Sequence, residues 1–227
     1  MFQPNLLKRP IKAKNRWALL VVLVLLYGCA GSEMAAGRQA LLMGKPDVAL
    51  KDFQRVAETD PNYVMRFVVF DEGVWTYLGR AQYLAGKLPE ARQSLEKAVA
   101  QHNDDHLARL YLGLAMARDK DRAKGLEEIE NGMTGIYNLI EFIVDRKVGA
   151  GEYWDPNREI RSEIQSDLAM IDGKEINWQK LISSGEWVGQ KMEEEIDLAT
   201  KDEINEKIDL IAVFDGMARN TTGQLGN

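Results

Sequence analysis

The chain has 227 residues, 45% hydrophobic and 28% charged, the balance of an ordinary globular protein long enough to bury a real core. The first 28 positions hold five basic residues (Lys8, Arg9, Lys12, Lys14, Arg16) and no acidic ones. Setting these aside leaves 24 of the 29 basic side chains against 35 acidic ones, about −11 with histidine neutral. A body of that charge repels phosphate backbones, which argues against nucleic-acid binding. The single cysteine, Cys29, rules out a disulfide within the chain.

The basic stretch 8–16 is followed by a continuous apolar run, 17–27, and then by Gly28 and Cys29. That order is the n-region and h-region of a secretory signal. Eleven residues span about 16 Å as a helix, too short for a hydrocarbon core of about 30 Å. Leu26-Tyr27-Gly28-Cys29 resembles the lipobox of bacterial lipoproteins, with Tyr27 where that family carries a small residue. The resemblance implies that residues 1–28 are a signal peptide and that Cys29 becomes the acylated first residue of a membrane-anchored protein. Ala30 follows with no Asp at that position, which resembles the outer-membrane sorting signal of two-membrane bacteria and implies a periplasm-facing location.

An internal repeat comes next. Gly37, Gly44, Ala49, Phe53 and Pro61 fall at the same offsets as Gly79, Gly86, Ala91, Leu95 and Asn103, and a weaker third copy starts at Leu112-Gly113 with Gly125, Ile129 and Gly132. The pattern resembles the tetratricopeptide repeat, a pair of antiparallel helices of about 34 residues. The resemblance covers roughly residues 30–140. It implies an all-α fold in which helical hairpins stack into a solenoid with a concave binding face. Gly79 and Ala91 are expected to face each other across a hairpin, with Leu78 and Leu95 in its core and Gly86 in the tight turn. The step from the first copy to the second is eight residues longer than a repeat. The insertion, near 62–71, is apolar (Met65, Phe67, Val68, Val69, Phe70) and reads either as an extended loop or helix end packed on the core or as an exposed contact site.

Residues 134–147 read as a buried helix closing the stack, and Gly149-Ala150-Gly151 as a break. The organisation expected is therefore a signal peptide (1–28), a repeat domain (29–148) and a C-terminal helical region (149–227). In that region Asp155-Pro156 is expected to open a helix ending at Asp172-Gly173, and Asn177 to cap a short helix over 178–183. Ser184-Gly185 reads as a turn. A second amphipathic helix over 186–218 carries a possible interruption at the Thr200-x-x-Glu203 capping box, and the tail from Asn220 reads as frayed. Between Glu186 and Asp209 stand nine acidic and three lysine side chains, either a solvated helix face or an acidic docking surface.

Motifs for catalysis are missing: the sequence holds no P-loop, HExxH, dinucleotide-binding turn or nucleophile elbow. The only histidines, His102 and His106, fall in an inter-hairpin loop with Asp104 or Asp105 as the following N-cap, a poor metal site. No cofactor is expected and the chain reads as a non-enzyme. Arg38 and Arg80 hold equivalent repeat positions, as do Tyr77 and Tyr111, with Arg118 two turns beyond Tyr111. The tetratricopeptide resemblance implies that these five line the concave face, where guanidinium forks bind carboxylates and tyrosines add contact area. Alternatively, the arginines pair with the chain's own acidic residues and the tyrosines pack between helices. The functional expectation is a lipid-anchored protein–protein interaction scaffold of the cell envelope. The alternative is a small-ligand-binding accessory of a transport system.

Overall fold

The computed structural model describes residues 30–67, 71–146 and 153–224, with side chains as far as Lys201 and at Asn205. The signal peptide, Cys29, residues 68–70 of the insertion and the glycine-rich break at 149–151 lie outside the described residues. The fold is all-α: eight helices and one short antiparallel β-pair among the described residues. In chain order they are α1 (30–42), α2 (Pro46–Thr59), β1 (Val64–Arg66), β2 (Asp71–Gly73), α3 (Val74–Leu84) and α4 (Leu88–Gln101), then α5 (His106–Arg118), α6 (Arg122–Arg146), α7 (Glu159–Asp172) and α8 (Trp178–Gln224). Helices α2 to α8 pack each against the next, and α8 returns to α5. None of the described helices is long and apolar enough to cross a membrane.

One contact recurs along the chain. Gly37 lies against Phe53, Gly79 against Leu95 and Gly113 against Ile129, always sixteen residues apart. A Cβ on any of the three glycines would meet its partner at 2.5 Å. The closest approach to Gly79 is thus Leu95 rather than Ala91, which is itself fully buried one turn earlier in the same helix. The tight turns recur too. Gly44 (φ 68°) and Gly86 (φ 75°) close α1–α2 and α3–α4 in the left-handed region that suits glycine. The equivalent position between α5 and α6 is Lys120, held at φ 69°. Proline fits the start of α2 (Pro46) and of α4 (Pro89), where no intrahelical N–H bond is lost.

The described residues of the insertion form a short β-pair. Val64, Met65 and Arg66 pair with Gly73, Glu72 and Asp71 as a two-stranded ladder. Tyr63 O accepts from Val74 N at 2.9 Å and Pro61 O from the Trp75 indole at 2.8 Å, tying the pair to the start of α3. Met65 and Phe67 pack partly buried against the cores, and the ladder turns Glu72 inward.

The C-terminal third departs from expectation in its helix boundaries. Helix α7 begins at Glu159, four residues after Asp155. Asp155 still caps it, because its carboxylate accepts from Ile160 N and Arg161 N across an intervening turn with Arg158 at φ 58°. Asn177 caps α8 as expected, accepting from Lys180 N at 3.1 Å. Ser184-Gly185 is not a turn and Thr200 marks no break: α8 is continuous from Trp178 to Gln224, taking in the start of the tail read as frayed. The small residues serve close packing instead. Ser184 donates to the buried Asp167 of α7, and Gly185 lies against Leu114 of α5. The core runs across residue 148, since Ile140 and Ile143 join Ile160, Leu181, Val188 and Ile196 in one cluster. A second cluster holds α1, α2 and the start of α3.

Lys120→Gly should relieve the left-handed strain and raise stability by about 1 kcal/mol in a denaturant melt. An unchanged or lowered midpoint would mean that the third turn carries no strain.

Candidate functional site

The five residues expected to line a concave face do converge, and the chain's own α8 lies against them. Arg38 comes from α1, Tyr77 and Arg80 from α3, and Tyr111 and Arg118 from α5. On α8, Glu186, Gly189 and Glu193 lie on one face at helical spacing and meet them. Arg38 Nε donates to Glu193 Oε1 at 2.6 Å, and Arg80 Nη1 donates to Glu193 Oε2 at 2.8 Å. One carboxylate is thus held by two guanidiniums, one per oxygen. Arg80 and Glu193 are both 2% exposed. Further along, Tyr83 donates to Glu186 at 2.6 Å and Arg118 donates to the same oxygen at 3.3 Å. Between the two carboxylates Gly189 lies against the Tyr111 ring, where a Cβ would come within 2.5 Å.

The aromatic rings complete the cradle. The Arg80 guanidinium lies 5.5 Å from the Tyr77 ring centre and 5.3 Å from that of Tyr111, in range for cation–π attraction to both. Arg118 lies 5.0 Å over Tyr83, and Arg38 lies 5.0 Å over Phe67 of the insertion. The expected residues therefore form one surface, and the carboxylates they meet belong to this chain.

Glu72, Tyr83, Glu186 and Glu193 were not singled out by sequence. Glu72 lies 3.8 Å from Arg80 Nη1. Burial, then the nearby Glu193 charge, pushes its carboxyl up to about 8 against the pull of Arg80. Glu193 is the carboxylate within ion-pair distance of both buried arginines. Burial likewise raises the Tyr77 hydroxyl well above its ordinary value. Behind this cluster Asp105, one of the two residues expected to cap α5, accepts from Ala108 N and from Thr76, its carboxyl raised by burial. His106 packs on Gly135 and burial lowers its pKa. Among the described residues no three His, Cys, Asp or Glu side chains gather as metal ligands.

Helix α8 leaves part of the surface it packs against uncovered. Where the α1–α2 turn and the end of α3 stand away from it, a cleft of about 370 Å³ remains. Leu41, Leu42, Leu84 and Trp187 give it apolar walls, while Arg80, Glu186, Gln190 and Glu193 line it with polar and charged groups. Leu84 and the neighbouring Met43 are exposed at the rim.

Glu193→Leu removes the shared partner of two buried cations and should cost about 3–5 kcal/mol in a chemical melt. A loss within 1 kcal/mol would show that the fork contributes little. Glu72 gives a pH signature. A carboxyl raised in the folded state binds its proton more tightly there than in the unfolded chain. Its stabilising effect is therefore complete below the ordinary carboxylate range and is lost as pH rises through about 8. Glu72→Gln should flatten the decline in thermal midpoint between pH 5 and pH 9; parallel pH profiles for the two proteins would contradict this.

No family model, curated protein or solved structure matches the chain.

Proposed function

We propose that the chain is a tetratricopeptide-type binding protein, anchored by a lipid on Cys29 to an envelope membrane, that works as a protein–protein interaction scaffold. The observation that carries the solenoid part of this reading is the recurrence of one packing unit. A glycine is pressed on the residue sixteen positions later at Gly37–Phe53, Gly79–Leu95 and Gly113–Ile129. A left-handed turn follows each time, at Gly44, Gly86 and Lys120. A bundle with no repeat has no reason to reproduce both features in register. The anchor rests on the sequence alone, in the order of basic stretch, short apolar run and Gly28-Cys29.

The filled groove changes where a protein partner docks. Arg38, Arg80 and Arg118 are committed to Glu193 and Glu186, and α8 also buries Leu181, Val188, Met192 and Ile196 in the core. A partner that displaced α8 would have to expose those side chains, at roughly 1.5–3 kcal/mol each. The concave arginines therefore shape the scaffold, and partners meet the outer surfaces. Among these the hairpin-turn end exposes two large apolar side chains close in sequence, Met43 at 58% and Val48 at 50%.

Two measurements test the reading. Mass spectrometry of the mature protein should find Cys29 acylated and N-terminal; an intact Met1 with a free thiol would remove the anchor. A photo-crosslinking residue placed at Met43 in intact cells should give a discrete protein adduct that the same residue at Phe142, exposed on α6, does not give. Identical smears from both positions would remove the scaffold.

A further inference from the structure

We propose that the far end of α8, at residues 210–214, is a second membrane contact that works beside the lipid on Cys29, its partner a bilayer surface. Placement is the first ground. Helices α1, α3 and α5 start at one end of the molecule: Gly31 lies against the Tyr63 hydroxyl, Tyr63 O accepts from Val74 N, and Gly73 lies against His102. Ala30 is buried at that end, so Cys29 stands one peptide unit, about 3.8 Å, from a residue fixed in the core. Helix α8 runs antiparallel to α5, with Glu186 at Arg118, Gly189 at Tyr111 and Met192 beside His106 and Leu107. It therefore heads for the end from which the anchor emerges. Ile196 is its last buried apolar residue among those described, yet the helix continues to Gln224. Residues 197–224 carry it about 42 Å further.

The second ground is a change of composition along α8. From Glu193 to Asp209 the helix holds eight acidic residues and two lysines, whereas from Leu210 to Gln224 it holds one of each sign, Asp215 and Arg219. The neutral part opens with five consecutive apolar residues, Leu210-Ile211-Ala212-Val213-Phe214. Five successive positions pass right round a helix of about 3.6 residues per turn. The segment is thus apolar on every side rather than along one stripe, the pattern of a helix surrounded by hydrocarbon rather than docked in a groove. It is too short to cross a bilayer and long enough to sink into its interface. The acidic stretch behind it is held off anionic headgroups by like charge and stays in water. Tip and anchor reach one surface when α8 runs obliquely to it, and the hairpin turns with Met43 then point away from the bilayer.

The inference rests on the membrane-anchored reading, and the test separates the two. The full chain is reconstituted in phosphatidylcholine vesicles with and without doxyl-labelled lipid. Quenching of a thiol-coupled bimane is read at Ala212→Cys, at Asn205→Cys in the acidic stretch and at Met43→Cys. Wild-type protein takes up label only if Cys29 is free, so it reports the anchor by itself; in that event the three positions are labelled on Cys29→Ser. Quenching at 212 should exceed that at 43 at least about threefold, with 205 close to 43. Ile211→Asp combined with Phe214→Asp should bring 212 down to the level of 205 with an unchanged thermal midpoint, and the comparison of the three positions stands even if that double variant perturbs the fold. Equal quenching at 212 and 43 would overturn the proposal, as would quenching at 212 that survives the double variant. A 212 label shielded from aqueous iodide but unquenched by the lipid would assign the tip to a second copy or another protein, and overturns it too.

Discussion

The architecture depends on one carboxylate. Glu193 accepts from Arg38 and Arg80, which lie 155 and 113 residues earlier in the chain. All three are nearly buried, so none has bulk water as an alternative partner. Desolvating two guanidiniums is expensive, and the attraction repays that cost only when geometry is good and the remaining donors are served. Here each carboxylate oxygen takes one guanidinium and two tyrosine rings flank Arg80, while Arg38 Nη2 and Arg80 Nε are left without an acceptor among the described residues. The arrangement fixes α8 rotationally as well as axially, because Gly189 must face Tyr111 and Glu186 must reach Tyr83 and Arg118. Apolar burial through Leu181, Val188, Met192 and Ile196 holds the helix in place, while the polar contacts select its register.

The surface formed by α1, α3 and α5 is thus occupied by a helix of the same chain. Its effective concentration is high and no translational freedom is lost on engagement, so modest contacts suffice to keep it occupied. The small residues of α8 follow from the same demand. Ser184, Gly185 and Gly189 let the helix approach α7 and α5 more closely than larger side chains would allow. The insertion follows from it as well, since the β-pair delivers Glu72 beside Arg80 and brings Phe67 under Arg38.

Much of the all-α core was readable from spacing, because packing repeats where sequence repeats: Gly37 with Phe53 and Gly79 with Leu95 are periodic in both. The convergence of Arg38, Tyr77, Arg80, Tyr111 and Arg118 was legible for the same reason. Their partners were not. Glu193 is one of nine acidic residues in a 24-residue stretch, and only tertiary closure distinguishes it. Ser184-Gly185 read as a turn because small residues signal both turns and close helix approach, and local sequence does not separate the two. A usable signal was present: Gly185 and Gly189 are four apart and Glu186 and Glu193 seven apart, which places small and acidic residues on one narrow helix face. The β-pair was missed because three-residue strands carry too little alternation to read. The start of α7 was misplaced because Asp155 caps it through an intervening turn.

The span from Arg38 to Glu193 also bears on how the chain folds. A repeat array without such a tie is nearly one-dimensional: each hairpin adds a nearest-neighbour increment, and the ends can open piecemeal. A contact joining the first helix to the last raises the contact order and closes a loop of most of the molecule, so its entropic cost falls late and assembly slows. In exchange, fraying of α1 and release of α8 become the same event. Either one leaves a buried guanidinium or carboxylate without its partner. A tie of this kind disfavours intermediates with one end open and favours unfolding as a single cooperative unit.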